Sequence, residues 1–286
     1  MNQPVAAANS FKIMGVVNVT PDSFFDGGRH DAPLAGDAHA EALIEQGAQI
    51  VDIGGESTRP GADPVEATLE IARVVPVVES VHRSHPSVQL SVDTMKVPVA
   101  AAAIDAGASY VNDVTGFRAD PELAGLVASA GVECCLMHMQ GEPRTMQANP
   151  RYANVVDDVR AHLEERMAFA IAEGVREHRI QLDPGIGFGK SLAHNLELLA
   201  RLDEIVAIGR PVVIGVSRKS FIGKIAEQRG IAGADADDRL PGTLAANVMA
   251  LQKGAQVFRV HDVAETAQAL AVASATISAQ PTSAAE

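Results

Sequence analysis

The sequence predicts an α/β fold, a single-domain (β/α)8 TIM barrel. About eight short apolar runs alternate with about eight segments of helical period, which favours a closed barrel over an open doubly wound sheet. The length of 286 residues is ordinary for such a barrel. Hydrophobic residues make up 47% and aromatic residues only 3%, so the core is aliphatic, as in parallel sheets buried on both faces.

The apolar runs predict the strands in order. They cover residues 11–17, 50–53, 88–92, 110–111, 132–137, 180–182, 212–216 and 256–260.

Three of the intervening segments carry clear helix signals. Pro64 is placed to begin a helix that continues through Val81, with a kink at Pro76. Apolar residues of helical spacing predict a long helix over 155–171, and another over 191–205 with Ser191 as its N-cap.

We find no internal repeat and no linker, so residues 11–273 are predicted to form one catalytic domain. Residues 1–10 and the Ala/Ser-rich residues 274–286 are expected to be flexible tails. The acidic, Gly-rich segment 230–238 is interpreted as a mobile loop in the seventh crossover.

The net charge of -13 argues against a nucleic-acid or anionic-membrane partner, so an anionic ligand would need a few local cations. Cys134 and Cys135 are adjacent, which suits buried thiols in a reducing compartment better than a bridge. The chain has no leader pattern and no apolar run of membrane-spanning length, and we expect a soluble, cytoplasmic protein.

Polar residues close almost every apolar run, and in a barrel these strand ends meet at one mouth. Asp and Asn also cap turns after strands, so one such residue carries little weight alone, whereas the whole ring is harder to explain that way. The ring comprises Asn18, Asp52, Asp93, Asn112, His138, Asp183, the cluster Ser217-Arg218-Lys219-Ser220, Arg259 and His261.

Three members of this ring are mostly hydrogen-bond acceptors. Asp93, Asn112 and Asp183 suit a flat heterocycle with several N–H groups, such as a 2-amino-4-oxo pyrimidine. Lys219 would bond the carbonyl and a ring nitrogen of that heterocycle. A divalent cation is the alternative, but hard-metal sites gather more carboxylates, so we favour the heterocycle.

The cations fall at other strand ends. Arg59, Arg259 and His261, together with Asn18, would gather an anion at the rim. Two-pronged arginine contacts suit phosphate in particular.

The stretch DPGIGFGKS at 183–191 ends like a phosphate-binding loop but has Pro184 where that loop needs its first glycine, so a nucleotide site is rejected. It is interpreted as the end of the sixth strand followed by a sharp turn. Gly187 and Gly189 would let the backbone approach a ligand, Phe188 would form an apolar wall, and Lys190 is expected to be incidental.

Eight co-linear motifs resemble the dihydropteroate synthase family over nearly the whole chain. They are GVVNVTPDSFFDGG (15–28), DIGGESTRPGA (52–62), SVDT (91–94), NDV (112–114), MHMQGEPRTMQ (137–147), LDPGIGFGK (182–190), GVSRKS (215–220) and FRVHD (258–262). Phe25, where many relatives have serine, is the notable local variant.

The resemblance implies that p-aminobenzoate and 6-hydroxymethyl-7,8-dihydropterin diphosphate give 7,8-dihydropteroate and pyrophosphate, a step of folate synthesis. It also implies Mg2+ with the diphosphate, a homodimer, and sulfonamides as competing ligands.

By matching position, the resemblance distributes the site residues among the substrates. The pterin residues would be Asp93, Asn112, Asp183, Lys219 and Arg259. The diphosphate residues would be Asn18, Arg259 and His261, with Asn18 on the metal side. The p-aminobenzoate residues would be Thr58, Arg59, Pro60, Phe25, Phe188 and Ser220. The catalytic set would be Asp93, Asp183, Lys219, Arg259 and His261.

The residue chemistry favours a dissociative, carbocation-like substitution, with carboxylates beside the pterin and cations beside the leaving group. The loops 20–28 and 56–62 are expected to be mobile and to close over the mouth, with Asp26 and Arg59 as partners in the closed state.

Two alternatives stay open at this point. One is a pterin-binding methyltransferase domain, which would have no use for Thr58-Arg59-Pro60 or Arg259-Val260-His261. The other is a catalytically silent pterin-binding barrel, which would be expected to have lost Asn18 or the cations of RVHD.

Overall fold

The computed structural model describes residues 10–20, 32–57, 63–142, 144–231 and 235–279. Eight parallel strands lie in the order β6-β5-β4-β3-β2-β1-β8-β7. A parallel bridge between Leu182 and Val212 joins β6 to the start of β7, so the sheet closes on itself. The predicted (β/α)8 barrel is confirmed.

The strands lie within two residues of most predicted bounds. They are β1 Lys12–Asn18, β2 Ile50–Gly54, β3 Gln89–Asp93, β4 Tyr110–Asp113, β5 Glu133–Met137, β6 Ile180–Asp183, β7 Val213–Ile214 and β8 Val257–Val260.

Ten α-helices occur in the described part of the chain. They are α1 Ala32–Glu45, α2 Ala67–Ser84, α3 Val97–Asp105, α4 Glu122–Ala130, α5 Val155–Ala172, α6 Leu192–Ala200, α7 Leu202–Val206, α8 Ser220–Arg229, α9 Leu240–Gln252 and α10 Val263–Ile277.

Strand side chains alternate between two environments. Outward-facing residues join one large apolar core with the helices. Inward-facing residues form a smaller cluster inside the barrel that includes Met14, Ile50 and Tyr110. Cys134 belongs to the outer core and Cys135 to the inner one, so these neighbours point to opposite faces. Both thiols are free, as predicted, and burial raises the pKa of each.

Two predicted helix bounds are wrong. The helix expected from Pro64 begins only at Ala67, and residues 63–66 are not helical. In this segment the carbonyl of Val65 accepts a hydrogen bond from Lys96. The helix expected over 191–205 is two helices, α6 and α7, separated at Arg201. Its predicted N-cap is confirmed, because the Ser191 hydroxyl accepts from the backbone N–H of His194.

Two segments expected to be irregular are partly helical. The sequence predicts a flexible tail from residue 274, but α10 continues to Ile277. The segment is rich in alanine, which is the best helix former. In the segment 230–238, a 3-10 helix covers Ala236–Arg239 and leads directly into α9. Within the described ranges, no helix has both the length and the apolarity needed to cross a membrane.

Candidate active site

The strand register brings the predicted acceptors together at one end of the barrel. Asn18 lies opposite Gly54, Gly54 opposite Asp93, and Asp93 opposite Asn112. Asp183 ends β6 at the same mouth. The side chains of Asp93, Asn112 and Asp183 are all at least 90% buried, so they form the floor of the mouth.

Arg259 extends from β8 to two carboxylates on strands that are not its neighbours. Its Nε donates to Asp52 Oδ2 at 2.6 Å, and its Nη2 donates to Asp93 Oδ2 at 2.7 Å. Asp52 also accepts from Ser91 Oγ at 2.5 Å and from Asn112 Nδ2 at 3.1 Å. We call Asp52, Ser91, Asp93, Asn112 and Arg259 the floor network.

The floor network shifts the ionisation of its members. Burial raises the pKa of Asp93 to about 7, and the positive charge of Arg259 only partly opposes this. Burial by itself lowers the pKa of Arg259, but attraction to Asp52 and Asp93 outweighs it, so the pKa is raised and the guanidinium stays charged. Near neutral pH, Asp93 is therefore a carboxyl group that titrates.

The second charged pair of the mouth is Asp183 with Lys219. Burial raises the pKa of Asp183 and lowers the pKa of Lys219 to about 8, while their mutual attraction opposes both shifts. The ammonium of Lys219 donates to the carbonyl of Ile186 and lies 4.7 Å from the ring centroid of Phe188. Lys219 therefore lies between Asp183, a predicted pterin-binding residue, and Phe188, the predicted wall of the p-aminobenzoate site.

The turn after β6 needs glycine where it packs against the end of β5. Gly185 has φ 67°, and a Cβ there would lie 1.9 Å from the carbonyl oxygen of His138. Gly189 has φ 61°, and its Cβ would lie 2.5 Å from the carbonyl oxygen of Gln140. Gly185 and Gly189 thus pack on the 138–140 backbone, whereas a Cβ at Gly187, which has φ 88°, would lie 3.0 Å from Lys219 Cδ; the approach of Gly187 and Gly189 to a ligand stays a prediction.

Lys190 is not incidental, and that prediction was wrong. Its side chain is buried, and its Nζ donates to the carbonyls of Gly185 at 2.9 Å and Phe188 at 3.0 Å. The same Nζ lies 2.8 Å from His138 Nδ1. Burial lowers the pKa of Lys190 well below its usual value and lowers that of His138 to about 2. Lys190 therefore braces the turn that carries Phe188.

The rim holds the remaining predicted residues that the structure describes. The backbone N–H of His261 donates to Ser217 Oγ at 3.2 Å, and the ring Nδ1 lies 2.9 Å from the same oxygen. Asn18 and His261 are half-buried, whereas Ser220 is exposed at the start of α8. Asn18 ends β1, which lies between β2 and β8.

Arg218, grouped with the site from the sequence, has a structural role. Its guanidinium binds both carboxylate oxygens of Asp262, at 2.5 and 3.0 Å, and its backbone has φ 57°. This pair holds the loop after β7 against the start of α10, and so places Lys219 beside the end of β8.

Five predicted residues lie outside the described ranges. They are Phe25, Asp26, Thr58, Arg59 and Pro60. Of the loops expected to move, Thr20, Glu56 and Ser57 are described, and Glu56 is fixed by an ion pair with Lys96.

Two further aspartates, Asp52 and Asp113, have structural roles at this end of the barrel that the sequence pattern does not predict. Asp52 was noted only as a strand end, although its inward alternation with Ile50 places it on the barrel axis beside Arg259. Asp113, next to Asn112, instead closes a turn by accepting from the backbone N–H groups of Thr115 and Phe117, each at 2.7 Å.

Comparison with known proteins assigns the family. The family model described as "Pterin binding enzyme" matches residues 14–261. Dihydropteroate synthase of Escherichia coli is 43% identical over 268 residues, which is 94% of this chain and 92% of that protein.

Solved structures agree. Dihydropteroate synthase of Xanthomonas albilineans, crystallised with 4-aminobenzoic acid, has a TM-score of 0.87 and 44% identity and covers 95% of this chain and 94% of its own. The Yersinia pestis dihydropteroate synthase, in a sulfonamide drug complex, has a TM-score of 0.87 and 40% identity over 98% of this chain and all of its own.

We predict that Lys190→Met lowers the free energy of unfolding by about 2 kcal/mol, because the turn loses the hydrogen bonds that Lys190 donates to it. Urea unfolding followed by circular dichroism measures this. Lys224→Met on the exposed face of α8 is the matched control and should leave the midpoint unchanged. Equal midpoints for the two variants would show that Lys190 does not brace the turn.

Proposed function

The chain belongs to the dihydropteroate synthases of the pterin binding enzyme family, and we propose how its barrel mouth carries out their reaction. It is a transferase of folate biosynthesis. The reaction joins p-aminobenzoate to 6-hydroxymethyl-7,8-dihydropterin diphosphate and releases 7,8-dihydropteroate and pyrophosphate. Similarity to synthases over 94% of the chain favours this reaction over methyl transfer or a silent barrel.

One observation carries the assignment of the pterin site. Asp93, Asn112 and Asp183 present buried acceptors at one mouth, and Lys219 adds a half-buried cation whose charge is attracted to Asp183. The amino and ring N–H groups of a pterin would donate to the acceptors, and its carbonyl would accept from Lys219.

Arg259 would serve both halves of this substrate. In the free site its Nη2 is held by Asp93, the carboxylate that a pterin N–H would also use. Binding of the ring would satisfy Asp93 and release that guanidinium nitrogen toward the diphosphate, while Nε stays on Asp52. His261 and Asn18 would complete the diphosphate site.

The residues at the rim fit Mg2+ that arrives with the diphosphate. Asn18 offers one hard oxygen ligand, and Mg2+ commonly takes one protein ligand together with phosphate oxygens and water. Among the described residues, no group of three or more His, Cys, Asp or Glu is arranged to hold a metal by itself. When bound, Mg2+ would neutralise charge that develops on the leaving pyrophosphate.

The amine side lies next to Lys219. Phe188, packed on Val114 and three methionines, would contact the ring of p-aminobenzoate, and Ser220 would lie at its exposed edge. Thr58, Arg59, Pro60 and Phe25 join this proposal on the sequence alone. The complex of the Yersinia pestis relative supports sulfonamides as competing ligands at this side.

The proposed chemistry is dissociative. The bond between the pterin methylene and the diphosphate oxygen breaks, and its electron pair leaves with pyrophosphate. Asp93 and Asp183 stabilise the positive charge left on the pterin. The amine nitrogen of p-aminobenzoate then bonds to the methylene carbon and loses a proton to solvent. That amine is mostly neutral at working pH, so positioning replaces a strong general base.

We further propose a cytoplasmic homodimer. An apolar groove of about 380 Å³ lies between α6, α8 and α9, and Leu196, Ile231 and Met249 in it are 42%, 62% and 54% exposed. A contiguous apolar groove of this kind is typical of a surface that packs against another protein. A second copy of the chain is the partner we propose for it.

The reaction is tested with the purified protein, pterin diphosphate, Mg2+ and p-aminobenzoate, with pyrophosphate and dihydropteroate as products. Asp183→Asn should weaken pterin binding about 10- to 100-fold, because a charged hydrogen bond is lost. Arg259→Lys, which keeps a positive charge beside Asp52 and Asp93, should weaken inhibition by pyrophosphate more than it weakens pterin binding.

The matched control for this experiment is Arg201→Ala, an arginine whose partners Glu197 and Glu204 lie on the outer helices. It should leave both constants unchanged. Absence of product from the folded wild type would overturn the reaction, and equal losses for the Asp183 and Arg259 variants would overturn the division of roles.

The pH dependence of kcat/KM for the pterin diphosphate should be bell-shaped. Ionised Asp93 accepts N–H donors more strongly and stabilises the cationic pterin, so the rate falls as the pH drops below its pKa of about 7. Lys219 must be protonated to donate, so the rate falls as the pH rises above its pKa of about 8. Lys219→Arg should remove the alkaline limb, because arginine stays charged. A flat profile between pH 6 and 9 would contradict these roles.

The dimer is tested by light scattering after size-exclusion chromatography. Leu196→Glu with Met249→Glu should give a monomer, because two charges cannot be buried in an apolar interface. Val272→Glu changes an exposed apolar residue, 64% exposed, on α10, which contributes no residue to the groove, and should stay dimeric. A monomeric wild type, or a dimeric double variant, would rule out this interface.

A further inference from the structure

The chain makes a tight turn directly after β6. Residues 185–188 form a β-turn that is closed by a hydrogen bond from the N–H of Phe188 to the carbonyl of Gly185 at 3.0 Å. Gly187, the third residue of the turn, has φ 88°, whereas the φ of Ile186 is not positive. These angles identify a type II turn.

A type II turn differs from a type I turn mainly in the direction of its central peptide. Rotating that peptide by about 180° exchanges the two types and keeps the closing hydrogen bond. Glycine as the third residue is compatible with both, because it accepts positive and negative φ at little steric cost. The sterics of Gly187 therefore do not decide which way the Ile186–Gly187 peptide points.

Asn195 on α6 holds this peptide from one side. Its Oδ1 accepts from the N–H of Gly187 at 2.7 Å, and its Nδ2 donates to the carbonyl of Ser191 at 2.8 Å. The residue is only 3% exposed, so water has little access to replace either partner. Reversing the peptide would take away the N–H that Oδ1 binds, so Asn195 favours the type II form.

Lys219 binds the same peptide from the opposite side. The peptide is trans, so its carbonyl and its N–H point in opposite directions. The carbonyl of Ile186 accepts from Lys219 Nζ. A Cβ at Gly187 would lie 3.0 Å from Lys219 Cδ, so the backbone there also lies against the lysine side chain. Asn195, one peptide group and the ammonium thus form a continuous hydrogen-bonded chain, in which each bond polarises the next.

Other contacts hold the frame of the turn without Asn195. The N–H of Gly185 donates to Asp183 Oδ1 at 2.6 Å, and Lys190 Nζ donates to the carbonyls of Gly185 and Phe188. None of these bonds involves the central peptide. Loss of Asn195 is therefore expected to change the direction of that peptide rather than to unfold the turn.

Charged groups on several elements face the ammonium of Lys219. Asp183 on β6 attracts it, whereas the charges of Arg259 on β8 and Lys190 in the turn oppose it. The carbonyl of Ile186 is a neutral acceptor among these charges. Its direction therefore determines where the ammonium is held between them.

We propose that Asn195 is a positioning residue for Lys219. It holds the Ile186–Gly187 peptide in the type II direction, and that peptide holds the ammonium where a pterin carbonyl would accept from it. The inference rests on the proposed function, which assigns Lys219 to the pterin. Asn195 would act through the peptide rather than by contact with the substrate.

The direct test is the pKa of Lys219 in the substrate-free protein, measured by NMR on lysine that carries an isotope label at Cε and assigned with Lys219→Arg. In Asn195→Leu, which cannot accept the N–H, the pKa should fall from about 8 to about 7, because the ammonium loses an acceptor that stabilises its charged form. The alkaline limb of kcat/KM for the pterin diphosphate should move to lower pH by the same amount. At pH 8 this should lower kcat/KM about fivefold, because less of the lysine is protonated.

Two variants separate the peptide contact from the packing of Asn195. Asn195→Asp keeps an oxygen for the N–H of Gly187, so it should keep the pKa of Lys219 at about 8 or above and keep most of kcat/KM. Ser191→Ala removes the N-cap bond to His194 and leaves Gly187 with its acceptor, so it should lower stability without moving the pKa. Should Asn195→Leu fail to fold, Asn195→Ala removes the same acceptor without added bulk.

An unchanged pKa of Lys219 in Asn195→Leu and Asn195→Ala would overturn the proposal. An equal fall in Asn195→Asp or in Ser191→Ala would do the same, and so would a lowered pKa with an unmoved alkaline limb. A wild type that forms no product would overturn the proposed reaction alone, because the pKa of Lys219 is measured without turnover. A lowered pKa in the Asn195 variants would then still support the link from Asn195 to Lys219.

Discussion

Two carboxylates are buried on the barrel axis, and the positive charge that they require determines how the rest of the mouth is arranged. Asp52 is fully buried and Asp93 is 8% exposed, and an unpaired charge in such surroundings costs several kcal/mol. Arg259 satisfies both of them from β8, on the far side of β1. Only a closed ring of strands brings those side chains within hydrogen-bonding distance, so the barrel fold and the charge pairing depend on each other.

The same pairing allows a ligand N–H to replace an N–H of Arg259 as the donor to Asp93. The guanidinium occupies an acceptor of Asp93 that a ligand N–H would take, and Asp93 titrates near neutral pH. A neutral heterocycle with several N–H donors can replace Arg259 Nη2 at Asp93, because the guanidinium then stays paired with Asp52 through Nε. Lys190 lies outside this floor network, and its buried amino group is bound to the carbonyls of Gly185 and Phe188, so it holds the turn that carries Phe188.

The sequence was sufficient for the fold and for the floor of the mouth, because strand periodicity and strand-end polarity are local signals. It identified Asp93, Asn112, Asp183, Lys219 and Arg259 before their contacts were known. It failed for Lys190 and did not single out Lys96, because a buried lysine is distinguished from a solvated one only by what folds around it. The start of α2 differs from the predicted one for the same reason: the helix begins after Val65, whose carbonyl accepts a hydrogen bond from Lys96 in a distant part of the chain.

The floor network is tested most directly by the protons released when pterin diphosphate binds. Burial raises the pKa of Asp93 to about 7 in the free protein, so this carboxyl group carries some protons near neutral pH, and N–H donors of a bound ligand favour its ionised form. Calorimetric titrations in PIPES, HEPES and Tris near pH 7 should therefore give binding enthalpies that vary with buffer ionisation enthalpy, with the sign of a net release of protons. Identical enthalpies in all three buffers would contradict the account, because Asp93 would then keep its ionisation state on binding.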